Sequence, residues 1–163
     1  MLVSSYNVRG LPKSKSALAL RMDLSSLFKQ CDILLCQETW YCSEQLKYLN
    51  SLSGDFYGSG IATRNLSDGI LHGHPPGGVA IFWKRHLNDY VRHLVFDDVN
   101  WCNGIEINIG GKSLVLLNVY LPYQCYENEE KFIECLGSLM NIINDLNCSC
   151  LSIVGDWNAN LAG

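Results

Sequence analysis

Asp156-Trp157-Asn158 sets two polar side chains two positions apart, directly after the apolar run Leu151 to Val154. At strand pitch the first and third residues point the same way, so a carboxylate and an amide enter one space. The carboxylate can take a proton from water. The amide can donate to a phosphate oxygen or orient the carboxylate. An Asx turn that closes a strand uses the same residue types, and the motif alone leaves both readings open. Glu38 ends the apolar run Ile33 to Gln37. A carboxylate there suits Mg²⁺, which takes hard oxygen donors and keeps several waters. It equally suits an ordinary glutamate where a strand meets solvent. Asn7, in Ser5-Tyr6-Asn7-Val8-Arg9-Gly10, can support a metal or a phosphate oxygen, or end a strand in a turn. Tyr120, in Asn118-Val119-Tyr120-Leu121-Pro122, can donate its hydroxyl to a phosphate, or stand as an aromatic at a strand end.

These residues share a location. Val3 to Val8 reads as a strand that runs into the turn signal Arg9-Gly10-Leu11-Pro12. Ser14 to Gln30 reads as one helix, with Leu20, Leu24, Leu27 and Phe28 as its buried stripe. Ile33 to Gln37 is a strand covered on both faces. A short helix is expected around Glu44 to Leu49, then loops and weak strands through the Gly-, Ser- and Pro-rich stretch Ser53 to Gly78. Val79 to Trp83 and Val91 to Phe96 are further strands. Gly104 to Ile109 and Ser113 to Tyr120 form a hairpin about Gly110-Gly111. Glu127 to Asn147 reads as a long helix, with Phe132, Leu136, Leu139, Ile143 and Leu146 on one face and Glu129 and Glu130 favoured by the dipole at its start. Leu151 to Val154 is a last buried strand. Asn7, Glu38, Tyr120, Asp156 and Asn158 therefore all lie at or just past strand ends, where one rim of a sheet can gather them. The mixture of hairpins and helix crossovers fits an α/β (α+β) sandwich of two or four layers.

The 163 residues suit one domain, and 48% hydrophobic with 17% charged residues excludes a disordered chain. A net charge of -4 gives no chain-wide basic field towards nucleic acid. Eight cysteines occur without a C-x-x-C pair and without a leading signal segment, which points to reduced thiols and an intracellular protein. No apolar run reaches the span of a bilayer, so no membrane partner is expected.

Five segments carry a resemblance: Ser5 to Leu11, Leu35 to Trp40, Gly77 to Ile81, Leu117 to Pro122 and Val154 to Ala159. In this order they resemble the successive signature blocks of the endonuclease/exonuclease/phosphatase superfamily. Their wording is most similar to the endonuclease domains of non-LTR retrotransposons, through Asn-Val-Arg-Gly-Leu and Gly-Gly-Val-Ala-Ile. The resemblance implies a DNase-I-like four-layer fold and Mg²⁺-dependent phosphodiester hydrolysis, with Mn²⁺ as a substitute. It implies Glu38 as principal metal ligand and Asn7 as support for metal and phosphate. Tyr120 would contact the scissile phosphate, Asp156 would align or deprotonate the attacking water, and Asn158 would be its partner. Arg9, Arg64 and Asn118 are carried as substrate contacts. DNA is the implied substrate, with a reverse transcriptase domain as a partner on a longer polyprotein and the nucleus as site of action, otherwise the cytoplasm. A phosphatase or phospholipid phosphodiesterase, and a non-catalytic remnant or binding module, are the rival readings.

The same blocks in the family continue into a terminal Ser-Asp-His-like segment without a counterpart in residues 1–163. The expectation is a domain incomplete at its C-terminus, poorly active alone, with an unpaired sheet edge. His72-Gly73-His74 reads as a loop rather than a substitute for the missing histidine. Lys84-Arg85-His86 reads as solvated charge, and Trp40, Trp83 and Trp101 as core caps before base-stacking surfaces. Lys13 and Lys15 are candidates for steering phosphate.

Overall fold

The computed structural model describes residues 1–65 and 75–159. Two four-stranded sheets stack face to face. The first has the order β1-β2-β4-β3, from Val3–Asn7 (β1), Ile33–Gln37 (β2), Phe56–Ile61 (β3) and Val79–Lys84 (β4). The second has the order β5-β6-β7-β8, from Val91–Leu94 (β5), Cys102–Ile109 (β6), Lys112–Tyr120 (β7) and Cys150–Asp156 (β8). Two neighbouring pairs are parallel, β1 with β2 and β7 with β8. A parallel pair needs a crossover, and helices supply both. Lys15–Leu20 (α1) and Met22–Gln30 (α2) join the first pair, and Glu129–Asp145 (α4) joins the second.

Period-two burial explains the layering. Ile33 and Leu35 of β2, Ile81 and Trp83 of β4, Ile105 and Ile107 of β6 and Leu116 of β7 fill the space between the sheets. The alternate residues Leu34, Cys36, Ala80 and Phe82 face outwards under Leu18 of α1, Leu24 and Phe28 of α2, and Leu49 and Leu52 of the short helix Leu49–Leu52 (α3). Phe28 meets Phe56 and Phe82 edge-on, with ring centroids 5.0 and 5.1 Å away. On the other side Val115, Leu117 and Val119 lie under Leu139 and Ile143 of α4. The result is the expected four-layer sandwich, helices outside and two sheets within. Gly110 and Gly111 both take positive φ, as a two-residue hairpin turn requires.

Three expectations are corrected. The helix foreseen over Ser14 to Gln30 is two helices, interrupted at Arg21, whose backbone leaves helical geometry. The interruption resets the helical phase, so Leu18 is buried and Leu20 is 84% exposed instead of joining the stripe. Residues 43–48 form a 3₁₀ turn ahead of α3. β8 is half-exposed rather than buried, because it pairs only with β7 at the sheet edge. The His72-Gly73-His74 motif lies outside the described residues. No described helix is long and apolar enough to cross a membrane.

Candidate active site

The two parallel pairs place four strand ends on one rim. β1 ends at Asn7, β7 at Tyr120 and β8 at Asp156, and Glu38 follows the last residue of β2. Asn7, Gln37 and Asp156 stand in the inward rows that also hold Val3, Leu35 and Val154. Strict alternation would send Glu38 outwards with Leu34 and Cys36. It takes φ +55° instead, and the left-handed residue turns its side chain back to the rim. Arg9, Trp40 and Asn158 also have positive φ, at 45°, 55° and 48°. Such conformations cost on the order of 1 kcal/mol each in a non-glycine residue, so the surrounding contacts must hold them.

Those contacts are specific. Asn7 Nδ2 donates to Glu38 Oε1 and to Asp156 Oδ2, both at 2.8 Å. The hydroxyl of Tyr120 donates to Glu38 Oε1 at 3.3 Å. Burial, followed by the Glu38 charge, pushes the Tyr120 phenol up to about 12, so it remains a proton donor at neutral pH. The amide N–H of Asn158 donates to Asp156 Oδ1 at 3.3 Å, and its side chain donates to the Leu121 carbonyl at 2.9 Å. The Asx-turn reading of Asp156-Trp157-Asn158 holds: the backbone N–H of Asn158 orients the Asp156 carboxylate, while the Asn158 side chain is engaged by Leu121. Gly155 permits it, since a Cβ there would lie 2.0 Å from the Val119 carbonyl oxygen.

Beneath the rim, Asn118 and Gln37 lock the sheets together. Gln37 Nε2 donates to Asn118 Oδ1 at 2.6 Å, and Asn118 Nδ2 reaches the carbonyls of Cys36 and Ala80, each at 3.1 Å, and Asn103 Oδ1 at 3.2 Å. Asn118 is 0% exposed. Its expected role as a substrate contact is therefore corrected to a structural one: a side chain sealed between sheets cannot touch a substrate.

Arg9 is exposed at the rim, and Arg64 is exposed on the segment after β3. Lys13 shares a cavity with Arg9 and Trp40. Lys84 and Arg85 are remote, at the opposite end of β4. Lys84 pairs with Asp32 at 2.8 Å, and Arg85 donates to the Gly54 carbonyl and lies over the Tyr57 ring. Trp83 is core, while Trp40 covers Gly10. All eight cysteines are free.

Two site-supporting residues were missed by reading the sequence. Gln37 belongs to the inward row of Ile33 and Leu35, which alternation alone exposes. Arg21 donates to the carbonyls of Val8 and Gly10, both at 3.1 Å, and to Asp23, which also accepts from Tyr6. It clamps the turn that follows Asn7. No local pattern signals that role.

Among the described residues no group of three His, Cys, Asp or Glu side chains is placed to hold a metal. Two carboxylates at a partly open rim nevertheless match what Mg²⁺ asks of a protein, which is one or two carboxylates with waters and substrate oxygens completing the shell. Asn7 presents its NH₂ to the pair, and its Oδ1 accepts from the Arg9 N–H. In this arrangement Asn7 bridges the two carboxylates through its amide nitrogen.

The chain matches the model of the Endonuclease/Exonuclease/phosphatase family over residues 4–162, and it belongs to that family. Solved structures share its fold. The zebrafish (D. rerio) TDP2 complexed with a single-strand DNA product is 17% identical with a TM-score of 0.63, covering 99% of this chain and 62% of that one. The human Nocturnin catalytic domain with bound sulfate is 17% identical with a TM-score of 0.57, covering 96% and 63%. A mannosyl-6-phosphatase from Bacteroides thetaiotaomicron is 15% identical with a TM-score of 0.59, covering 100% and 67%. The chain spans 62% of the length of the TDP2 structure it matches. No curated protein matches it.

Proposed function

We propose that this chain is a Mg²⁺-dependent phosphodiesterase that nicks DNA, derived from a retrotransposon. The observation that carries the hydrolase reading is the pair Glu38 and Asp156, brought together through Asn7 from two different sheets. Glu38 and Asp156 would hold the ion, with Mn²⁺ able to replace Mg²⁺. Bound there, the ion supplies charge neutralisation on phosphoryl oxygens. The protein's own groups do the rest. Tyr120 donates its proton towards a phosphate oxygen, Asp156 orients or deprotonates a water, and Asn158 holds Asp156 in place. Arg9 and Lys13 on one flank and Arg64 on the other suit the backbone of a polyanion. The DNA-nicking and retrotransposon assignments rest on the Asn-Val-Arg-Gly-Leu and Gly-Gly-Val-Ala-Ile segments. They imply action in the nucleus and a reverse transcriptase domain as partner.

The described histidines do not serve this site. His86 follows β4 at its far end, and His93 bonds Ser59 Oγ at 3.0 Å. The test is relaxation of supercoiled plasmid in Mg²⁺ or Mn²⁺, beside hydrolysis of inositol phosphates and sphingomyelin. Nicking above the level of Glu38→Gln supports the proposal. Hydrolysis of the small phosphates without nicking moves the chain to the phosphatase or lipid branch. A chain that binds neither divalent metal nor DNA is not an enzyme of this kind.

A further inference from the structure

Beside Tyr120 lies a cavity of about 280 Å³, lined by Arg64, Asn100, Trp101, Tyr120, Lys131 and Cys135 among others. It is a separate concavity from the one around Arg9 and Lys13, and it shares Tyr120 with the candidate active site. Its volume lies just below the ~300 Å³ at which ligand cavities start, and so suits one planar group rather than an extended ligand.

The lining is chemically particular. The ion pairs among the described residues engage the N-terminal amine, Arg21, Lys84 and Arg92. Arg64 and Lys131 stand outside them. Arg64 and Lys131 thus bring two cationic side chains to one cavity. Trp101 is half-buried, packs against the cores on both sides of it, and accepts the Tyr120 amide on its carbonyl at 2.8 Å. An indole held so firmly loses little entropy when a ring stacks on it. Asn100 adds an amide that can both donate to and accept from a base edge.

We propose that this cavity takes one nucleotide of a single-stranded nucleic acid, next to the phosphate at Tyr120. The base stacks at Trp101 and the adjoining phosphates meet Arg64 and Lys131. The proposal rests on the hydrolase reading above and gives it a substrate class: an unpaired nucleotide beside the cleaved bond. Base stacking on an aromatic is tolerant of sequence, so the subsite selects strandedness and not sequence.

The experiment is fluorescence anisotropy with a labelled ten-nucleotide DNA strand, with Ca²⁺ in place of Mg²⁺, and a single abasic position moved along the strand. The wild type is expected to lose between about fivefold and a hundredfold in affinity at one abasic position, and Trp101→Leu to be insensitive there. Because that comparison is made within each protein, a modest loss of stability in Trp101→Leu does not mimic it. Arg64→Gln and Lys131→Gln replace exposed side chains, and each is expected to lower the slope of log affinity against log salt by about 0.7. A flat abasic scan in the wild type, or unchanged salt slopes, overturns the subsite, even if Glu38-dependent cleavage is found. The full binding signature without Glu38-dependent cleavage supports the subsite and removes the hydrolase.

Discussion

Glu38 and Asp156 accept from one and the same nitrogen, Asn7 Nδ2, each at 2.8 Å. Two like charges held this close repel unless a cation joins them. Glu38→Gln and Asp156→Asn are each expected to weaken Mn²⁺ binding by about tenfold or more, measured by calorimetric or spin-resonance titration. In EDTA the thermal stability of Glu38→Gln should match or exceed that of the wild type, since repulsion is relieved while Asn7 and Tyr120 keep an acceptor. Equal metal affinity in wild type and both variants would remove these carboxylates as a binding pair.

Asn118→Leu is expected to cost about 2–4 kcal/mol in denaturant unfolding, because it strands the Gln37 amide and the buried carbonyls of Cys36 and Ala80. A loss under about 0.5 kcal/mol, the range of a neutral surface change, would show that the network adds nothing.

The turn after Asn7 depends on Arg21. Arg21→Ala is expected to lower stability by about 1–2 kcal/mol and to speed amide hydrogen exchange at Gly10 and Leu11, while the exchange of α4 stays unchanged. Arg21→Lys should fail to restore protection, since an ammonium lacks the planar fork that spans two carbonyls and a carboxylate. Full rescue by lysine would reduce the clamp to a simple charge.

His93 links acidity to stability. Burial between the sheets holds its imidazole below the ordinary 6.5. Protonation is therefore easier in the unfolded chain. The stabilisation is complete above about pH 6.5 and is lost as pH falls from there towards the lowered folded value, at no more than about 1.4 kcal/mol per pH unit for one proton. His93→Gln keeps a partner for Ser59 Oγ and should flatten that portion of the stability profile, measured by thermal unfolding between pH 7 and 5. Parallel profiles would mean that His93 does not set the acid limb.

Much of this site was legible because its residues sit at strand ends, and the strands are strongly patterned. Asn7, Glu38, Tyr120, Asp156 and Asn158 were all placed at one rim from their position after apolar runs. Asn118 was misread because its motif neighbours drew attention towards Tyr120. The row Leu114, Leu116, Asn118 already points inwards, and an amide in such a row must be buried. The break at Arg21 was not legible. Leu20 continues a helical spacing, and what defeats it is a guanidinium satisfying carbonyls far along the chain, a tertiary demand that local propensity cannot express. The half-exposure of β8 is likewise a matter of neighbours, since Leu151 to Val154 has the same apolar character as a fully covered strand.

The carboxylate pair draws one member from each sheet. A divalent ion gripped by both would act as a rivet through the sandwich, and at a hundred times its dissociation constant it would add about 2.7 kcal/mol to the closed form. Resistance to proteolysis would then follow the magnesium concentration of the surroundings, so these two side chains would govern how long the molecule survives.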